Sequence, residues 1–232
     1  PLVWTFLPTP LVRDVIRALD PELIVYYCID DLASSSSAAR PIKQSEIGLF
    51  READLVFVTS EKLRSRAAIN SDHVHLFPFG VNFEKFAHAK NTAPPQELTD
   101  LRKPIVGYVG GIHKWIDFEL LEELARRLPE TTFVLVGPIQ TDTSCLANCQ
   151  NIHLLGARTH DELPRYIGAF DVGIVPYVLS DYTANVYPTK LNEYLAMGIP
   201  VVATDLLEIR RFNKTHGDVV AVANDAETFA IE

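Results

Sequence analysis

Residues 188–204 read PTKLNEYLAMGIPVVAT, a stretch that combines a helical pattern with a buried strand. Leu191 and Tyr194 recur at the helical period, and Gly198 is suited to end the helix in a left-handed conformation. The following residues, 200–204, are apolar and rich in β-branched side chains, as in the centre of a sheet. The stretch therefore predicts a helix near Pro188 that leads into a central strand.

Lys190 and Glu193 are three residues apart and would share one face of this helix, in its first turn. Free N–H groups and the positive end of a helix attract phosphate, and a carboxylate can accept two hydrogen bonds from a ribose diol. The pair is therefore a candidate site for a nucleotide diphosphate. The alternative is an exposed ion pair on an ordinary helix, which is common at this spacing.

Strands and helices alternate along the chain, which predicts an α/β protein with parallel, doubly wound sheets. Thr9 caps a helix that Asp20 ends, Ser60 caps another, and Asp161 is expected to cap a helix with Pro164 in its first turn. The strands predicted in the first half are residues 2–5, 23–29 and 55–59, all read as buried, and residues 74–77. Those of the second half are 105–109, 132–136, 152–155, 171–176, 200–204 and 218–222.

Periodicity is lost between the two halves, where prolines and charges gather as in a linker. The predicted organisation is a partial N-terminal domain over 1–90, a linker over 91–103 and a C-terminal domain over 104–232. A net charge of −9 argues against nucleic acid as a partner, and no apolar run is long enough to span a membrane. Three cysteines without a metal-like pair suit a reducing, cytoplasmic compartment.

The pattern P-x-K-x-x-E-Y-x-A-x-G-x-P-V-V-A-T resembles the donor-binding signature of GT-B glycosyltransferases of the family 4 or group 1 type. Residues 53–60 and 78–82 resemble two further segments of that family. The resemblance implies a GT-B fold, with two Rossmann-like domains that face a cleft and an N-terminal domain that is incomplete here. It also implies that the second domain holds the donor.

The implied reaction moves a sugar from a nucleotide diphosphate sugar to a hydroxyl acceptor, such as a glycan or glycolipid precursor, with retention of configuration. No metal and no cofactor is expected, since the nucleotide sugar is a substrate. The location expected is the cytoplasm, with at most peripheral contact to the inner face of the membrane. The chain as given is expected to keep nucleotide affinity and to lack transfer activity.

The resemblance also suggests donor-binding residues after the strand 105–109. Gly110 and Gly111 follow that strand, where family members carry a glycine-containing donor loop, and Lys114 would help Lys190 to neutralise phosphate. A plain tight turn and a solvated loop charge are the alternatives. Relatives carry a glutamate eight residues before Glu193, associated with the donor sugar, but this chain has Asn185 there. Asn185 is either an uncharged substitute or a turn residue.

Asp30 stands at or near the place of a histidine that many relatives direct at the transferred sugar. As a catalytic carboxylate it could bind a sugar hydroxyl or stabilise positive charge at the anomeric carbon. The alternative is that it caps the following loop. Two other functions stay open from the sequence: a GT-B-fold sugar-nucleotide epimerase, and a non-enzymatic two-lobed protein that binds a small molecule.

Overall fold

The computed structural model describes residues 1–34, 39, 41–89 and 92–231, without the side chain of Asn185. Contacts within the chain divide it into two compact units. The first unit comprises Pro1–Phe79 and Ser180–Tyr187, and the second comprises Gly80–Leu179 and Pro188–Glu232. Each unit is built around its own parallel sheet.

The first unit contains a four-stranded parallel sheet in the order β1-β2-β3-β4. Its strands are β1 (Leu2–Thr5), β2 (Leu23–Cys28), β3 (Leu55–Val58) and β4 (Val74–Leu76). Its helices are α1 (Pro10–Leu19), α2 (Ile42–Glu52) and α3 (Glu61–Ala67). Thr9 caps α1 by accepting from the N–H of Val12, and Ser60 caps α3 in the same way, as the sequence predicts.

The edge strand β1 is less buried than its apolar sequence predicts. Leu2 is 61% exposed and Trp4 is 53% exposed, and the Trp4 ring stacks on Phe57 at 5.7 Å between centroids. The core of the unit lies on the other face of the sheet, where Tyr26 and Val56 pack against residues of α2 and α3. The expectation that β1 is a buried strand is therefore wrong for the described residues of this unit.

The second unit contains a six-stranded parallel sheet in the order β10-β9-β8-β5-β6-β7. Its strands are β5 (Ile105–Val109), β6 (Thr132–Val136), β7 (Ile152–Gly156), β8 (Val172–Val175), β9 (Val201–Thr204) and β10 (Val220–Ala223). Its helices are α4 (Phe83–Ala89), α5 (Gln96–Thr99), α6 (Phe118–Arg127), α7 (Leu163–Ile167), α8 (Lys190–Ala196), α9 (Leu207–His216) and α10 (Ala226–Ile231). The predicted α/β class with parallel sheets is confirmed.

Both faces of this sheet are covered. Side chains alternate between the faces of a strand, so Tyr108 packs with α6 residues such as Leu121 on one face, and Val109 packs with Tyr194 of α8 on the other. A strand covered on both faces has a continuous apolar sequence. The strand ranges predicted from the sequence therefore lie within one or two residues of those in the structure. Gly198 follows α8 with φ of 66°, the left-handed end that was predicted.

The second unit begins earlier in the chain than the predicted domain ranges of 1–90, 91–103 and 104–232. Phe86 of α4 is fully buried in the same hydrophobic cluster as Ile105. Leu98, inside the predicted linker, lies on α5 and is 3% exposed in that cluster. Segments before residue 104 therefore contribute to the core of the second unit, and Gly80 is where that unit begins.

Asp161 does not cap a helix. α7 begins at Leu163 with Pro164 in its first turn, as predicted, but the preceding Glu162 has helical backbone angles and no capping side chain. The Asp161 carboxylate instead accepts from the Lys85 ammonium at 2.6 Å. The ion pair with Lys85, 76 residues earlier in the chain, takes the place of the capping hydrogen bond that was predicted for Asp161.

Among the helices of the described chain, none combines the length and the apolar character needed to cross a membrane.

Candidate functional site

The order of strands reverses at the centre of the second unit's sheet, where β5 lies between β8 and β6. In open α/β sheets such a reversal creates a crevice at the carboxyl ends of the strands, where ligands bind. Gly110 follows β5 and Tyr177 follows β8 shortly after its end, so both lie at this edge. The reversal therefore defines the candidate site from topology alone.

The loops that follow β5 and β6 approach each other backbone to backbone. The N–H of Gly110 donates to the carbonyl of Val136 at 2.9 Å. A Cβ atom added to Gly137 would lie 1.8 Å from the carbonyl oxygen of Gly110, which no side chain could tolerate. Gly110 itself has φ of 130°, which disfavours any residue with a side chain. Because the close approach requires glycine at both positions, no side chain covers the main chain at the end of β5, and a ligand can approach it closely.

Lys190 of α8 lies beside this loop and is 7% exposed. Its Nζ lies 4.9 Å from the centroid of the Tyr108 ring and 4.8 Å from that of Tyr177, and it donates to the Tyr177 hydroxyl. A Cβ atom added to Gly110 would lie 3.4 Å from Nζ, so loop and ammonium are adjacent. Within the described residues, no carboxylate forms an ion pair with Lys190.

Two fully buried tyrosines of this region, Tyr108 and Tyr194, do not supply a negative charge. Burial raises the pKa of Tyr108 well above its ordinary value, and burial does the same for Tyr194. Both phenols therefore stay neutral near pH 7, and the Tyr108 hydroxyl donates to the carbonyl of Gly111 at 2.9 Å. The Lys190 side chain contacts aromatic faces and a hydroxyl, which interact favourably with a cation and carry no opposite charge.

Glu193 lies one turn further along α8, and its side chain is 15% exposed. Its Oε1 lies 3.2 Å from Nε2 of His160. Nδ1 of the same imidazole lies 3.1 Å from Nζ of Lys85, which also pairs with Asp161. Glu193 is thus partly exposed, and contacts within the second unit link its carboxylate to His160 and, through His160, to Lys85.

Two other predicted residues have less contact with Lys190. Lys114 is exposed, and its Nζ lies 6.0 Å from the Trp115 ring centroid. Among the contacts described for Lys190, none involves Lys114. Gly111 lies next to the loop of Gln140, since an added Cβ would come within 2.9 Å of its Oε1. The structure therefore brings together Gly110 and Lys190, places Gly111 beside Gln140, and leaves Lys114 exposed.

Asp30 lies in the first unit, just after β2. Its Oδ2 accepts from the hydroxyl of Tyr182 at 2.7 Å, and its Oδ1 accepts from the N–H of Asp31 at 2.9 Å. Burial raises the pKa of the Asp30 carboxyl, and the Tyr182 hydrogen bond counteracts this only in part. Asn185 ends a short 3-10 helix of residues 183–185 in the same unit. Its side chain, and so its predicted contact, lies outside what the structure describes.

A cavity of about 800 Å³ opens beside these residues, within the first unit. Arg66 lies on its wall and pairs with Glu46 at 2.9 Å and with Asp31. Burial raises the pKa of Glu46, although the Arg66 guanidinium opposes the rise. Tyr182, the partner of Asp30, also lines the cavity. The first unit therefore offers a polar cavity next to the predicted catalytic carboxylate.

No group of three or more histidine, cysteine, aspartate or glutamate side chains that could hold a metal ion occurs in the described part of the chain.

Comparison with known proteins identifies the family. Residues 103–232 match the family model described as Glycosyl transferases group 1. The chain belongs to this family. A relative in Bacillus subtilis (strain 168), named "Putative teichuronic acid biosynthesis glycosyltransferase TuaH", is 31% identical over 84% of the chain and 53% of the relative. The chain therefore spans about half the length of that relative.

Solved structures of other proteins share the fold of this group 1 chain. The sucrose-phosphate synthase of Thermosynechococcus elongatus matches with a TM-score of 0.77 and 21% identity, over 100% of this chain and 63% of that one. Anabaena HepE in complex with UDP-glucose matches with a TM-score of 0.76 and 17% identity, over 99% and 67%. The predicted GT-B glycosyltransferase fold and family are confirmed.

Sequence reasoning missed four residues around the site. Tyr108 and Tyr177 surround Lys190, but an aromatic residue at the end of an apolar strand does not stand out in the sequence as part of a site. His160 is an isolated histidine that belongs to no motif in the sequence. Lys85 carried no signal, because its contact with His160 spans 75 residues of sequence.

Proposed function

We propose that the protein transfers a sugar from a nucleotide diphosphate sugar to a hydroxyl acceptor, with retention of anomeric configuration. Membership of group 1 and the name of the Bacillus relative support transferase chemistry. The UDP-glucose complex of HepE supports a nucleotide sugar as the donor class. The nucleotide sugar acts as a substrate, and no cofactor is part of the proposal.

The observation that carries the proposal is the buried ammonium of Lys190 at the switch point. A buried charge is costly unless an opposite charge or hydrogen bonds compensate for its lost hydration. Aromatic faces and one hydroxyl surround Lys190, and the described residues give it no carboxylate. An anionic ligand that enters beside Gly110 would complete this environment, and a diphosphate has the required charge.

Each donor contact has a separate role in the proposed mechanism. Lys190 and the backbone N–H of Gly111 stabilise the charge that develops on the leaving diphosphate as the glycosidic bond breaks, and Gly110, whose N–H is bonded to Val136, lets the diphosphate approach closely. Stabilisation of that charge acts on the transition state more than on the ground state, so it lowers the barrier. Glu193 accepts hydrogen bonds from the ribose diol and thereby fixes the nucleotide relative to Lys190.

The acceptor side of the proposal rests on the first unit. Its cavity combines Arg66, Asp31 and Tyr182 with apolar side chains, a lining that suits a polyhydroxylated acceptor such as a glycan or glycolipid precursor. Asp30 is adjacent and would act on the transferred sugar through a hydrogen bond or its charge. We also propose a role in polysaccharide biosynthesis, which the name of the Bacillus relative supports. The proposed location is the cytoplasm, with at most peripheral contact to the inner face of the membrane, and three free thiols support a reducing compartment.

Neither alternative function gains support from a specific observation. A free-sugar-binding protein would leave the charge of Lys190 unexplained in its buried position, where the described residues supply no carboxylate for it. An epimerase would also bind a nucleotide sugar, and the family match and the named relative favour transfer over it. The Glu193 carboxylate gives a direct way to separate nucleotide-sugar binding from free-sugar binding, because only a nucleotide has a ribose diol for it to bind.

Calorimetry with a panel of nucleoside diphosphates tests the proposal. We expect one diphosphate to bind the protein, and Glu193→Ala to weaken that binding roughly tenfold through loss of hydrogen bonds to a charged acceptor. Glu227→Ala, on the exposed surface of α10, is the matched control and should bind as the parent does. Absence of binding by every nucleotide, or an unchanged affinity in Glu193→Ala, would contradict the site.

A further inference from the structure

The imidazole of His160 lies between two charged side chains of the second unit. Its Nε2 is 3.2 Å from Oε1 of Glu193, and its Nδ1 is 3.1 Å from Nζ of Lys85. The three side chains come from separate segments, since Lys85 lies on α4, Glu193 on α8 and His160 on the loop before α7. The fold therefore assembles a chain of contacts that ends on the carboxylate proposed to bind ribose.

The chemistry of Lys85 determines which imidazole nitrogen carries the proton. A lysine ammonium has three donors and no acceptor, so Nδ1 of His160 must be the acceptor in their contact. Lys85 also forms an ion pair of 2.6 Å with Asp161. A neutral imidazole with an unprotonated Nδ1 carries its only proton on Nε2. Nε2–H therefore donates to Glu193.

Packing fixes the plane of the ring. Phe86 of α4 contacts the His160 ring edge to face, with centroids 5.7 Å apart. Phe86 is fully buried in the core of the second unit, so it provides a rigid surface. A side chain held by packing and by hydrogen bonds at both nitrogens loses little further freedom when a ligand binds.

We propose that His160 is a positioning residue for the donor nucleotide. By donating to Oε1 it fixes the rotamer of Glu193 and directs the second carboxylate oxygen, Oε2, to the ribose diol. Lys85 acts through His160 by selecting the Nε2–H tautomer. This proposal rests on the role of Glu193 in the proposed function, and it adds two residues that contact the nucleotide only through that carboxylate.

The positioning role makes a specific binding prediction. Loss of the His160 hydrogen bond should weaken nucleotide binding roughly threefold to tenfold, with the number of sites per chain unchanged. A residue that merely maintained the fold would lower the fraction of binding-competent protein instead, so calorimetry would report fewer sites per chain and an unchanged Kd.

Substitutions at His160 provide the binding test. We expect His160→Ala to show the loss of affinity, and His160→Gln to recover most of it, because the Gln amide can donate from a position close to Nε2. His216→Ala is the matched control: His216 is also exposed and packs on a phenylalanine, Phe212, at 4.5 Å between centroids. In a Glu193→Ala background, His160→Ala should have no further effect, since the group it positions is gone.

Nitrogen-15 NMR of the histidine side chains reads the tautomer directly, without any nucleotide. We expect an unprotonated Nδ1 and a protonated Nε2 at His160, and a shift toward mixed tautomers in Lys85→Met but not in Lys214→Met. A protonated Nδ1 in the parent protein would overturn the proposal. So would unchanged nucleotide affinity in His160→Ala when Glu193→Ala is impaired. If neither substitution changes affinity, the proposed function itself fails.

Discussion

The hydroxyl of Tyr194 accepts a hydrogen bond of 2.9 Å from the backbone N–H of Val109. This bond joins α8 to the end of β5, immediately before Gly110. Tyr194 is fully buried, and its ring also packs against Phe170 at 6.5 Å between centroids. The helix that carries Lys190 and Glu193 is thereby fastened to the strand that leads into the glycine loop.

Tyr194→Phe should destabilise the second unit. The substitution leaves the buried N–H of Val109 without its acceptor, at a cost of about 1–3 kcal/mol. Urea unfolding measures the change, with Trp115 as the only tryptophan in a Trp4→Phe background, since Trp115 belongs to the second unit. Tyr27→Phe, in the first unit, should leave the Trp115 transition unchanged. An equal midpoint for Tyr194→Phe and its parent would contradict the role given to this bond.

Gly137→Ala should disrupt the loop at Gly110. The added methyl group would lie 1.8 Å from the Gly110 carbonyl oxygen, so one of the two loops must move. We expect nucleoside diphosphate affinity to fall at least tenfold, with a lower unfolding midpoint for the second unit. Gly80→Ala is the control, because no atom lies within 4 Å of a Cβ added there. Parent-like binding by Gly137→Ala would show that the close approach is unnecessary.

The stability of the first unit should depend on pH through Glu52. Hydrogen bonds from Arg13, and then from Arg17, outweigh partial burial and lower the pKa of this carboxyl below its ordinary value of 4.5. A lowered folded-state pKa means that the stabilisation is present above pH 4.5 and is lost as the pH falls through the folded value.

Glu52→Gln should therefore reduce the free energy of unfolding at pH 7, by less than ~1 kcal/mol for a partly exposed pair. The difference from the parent should disappear at low pH, where both proteins carry a neutral side chain. Trp4 fluorescence in a Trp115→Phe background follows unfolding of this unit. Asp72→Asn, at an exposed position, is the control. A difference that persists unchanged below the folded pKa would contradict the assignment.

Cys28 should be the least reactive of the three thiols. It is 1% exposed, and burial raises its pKa to about 12, with the Glu46 charge adding to the effect. The thiolate is the reactive form, so at pH 8 iodoacetamide should label the exposed Cys145 well before Cys28. Mass spectrometry of the labelled peptides measures the order, and urea should remove the protection. Equal labelling rates in the native protein would contradict the buried position.

The parallel strands were predictable because a strand covered on both faces is apolar throughout, whatever its neighbours. The degree to which each strand is buried within its sheet was not predictable from the same apolar pattern. Trp4 has an apolar sequence context, yet it lies on an exposed face, because burial depends on which element covers that face. Phe86 and Leu98 were assigned to the end of a domain and to a linker. Their burial depends on contacts with strands much later in the chain, which local periodicity does not report.

The geometry of the candidate site was predictable where one short segment carries it, and its role in donor binding stays a prediction. Lys190 and Glu193 share α8, so their helical spacing alone placed them on one face, and the strand order then brought Gly110 to Lys190. Lys114 was suggested by its closeness in sequence to Gly110, but its side chain points into solvent. His160 and Lys85 reach Glu193 only through the tertiary fold, and no spacing rule connects three segments of this kind.

Lys190 is the buried cation that we propose binds the diphosphate of the donor. Calorimetry on Lys190→Met, with the nucleoside and its diphosphate as separate ligands, tests it most directly, and Lys114→Met is the matched control. We predict that Lys190→Met weakens diphosphate binding about tenfold or more while nucleoside binding changes little, and that Lys114→Met affects neither strongly. Equal losses for nucleoside and diphosphate, or full diphosphate affinity in Lys190→Met, would contradict it.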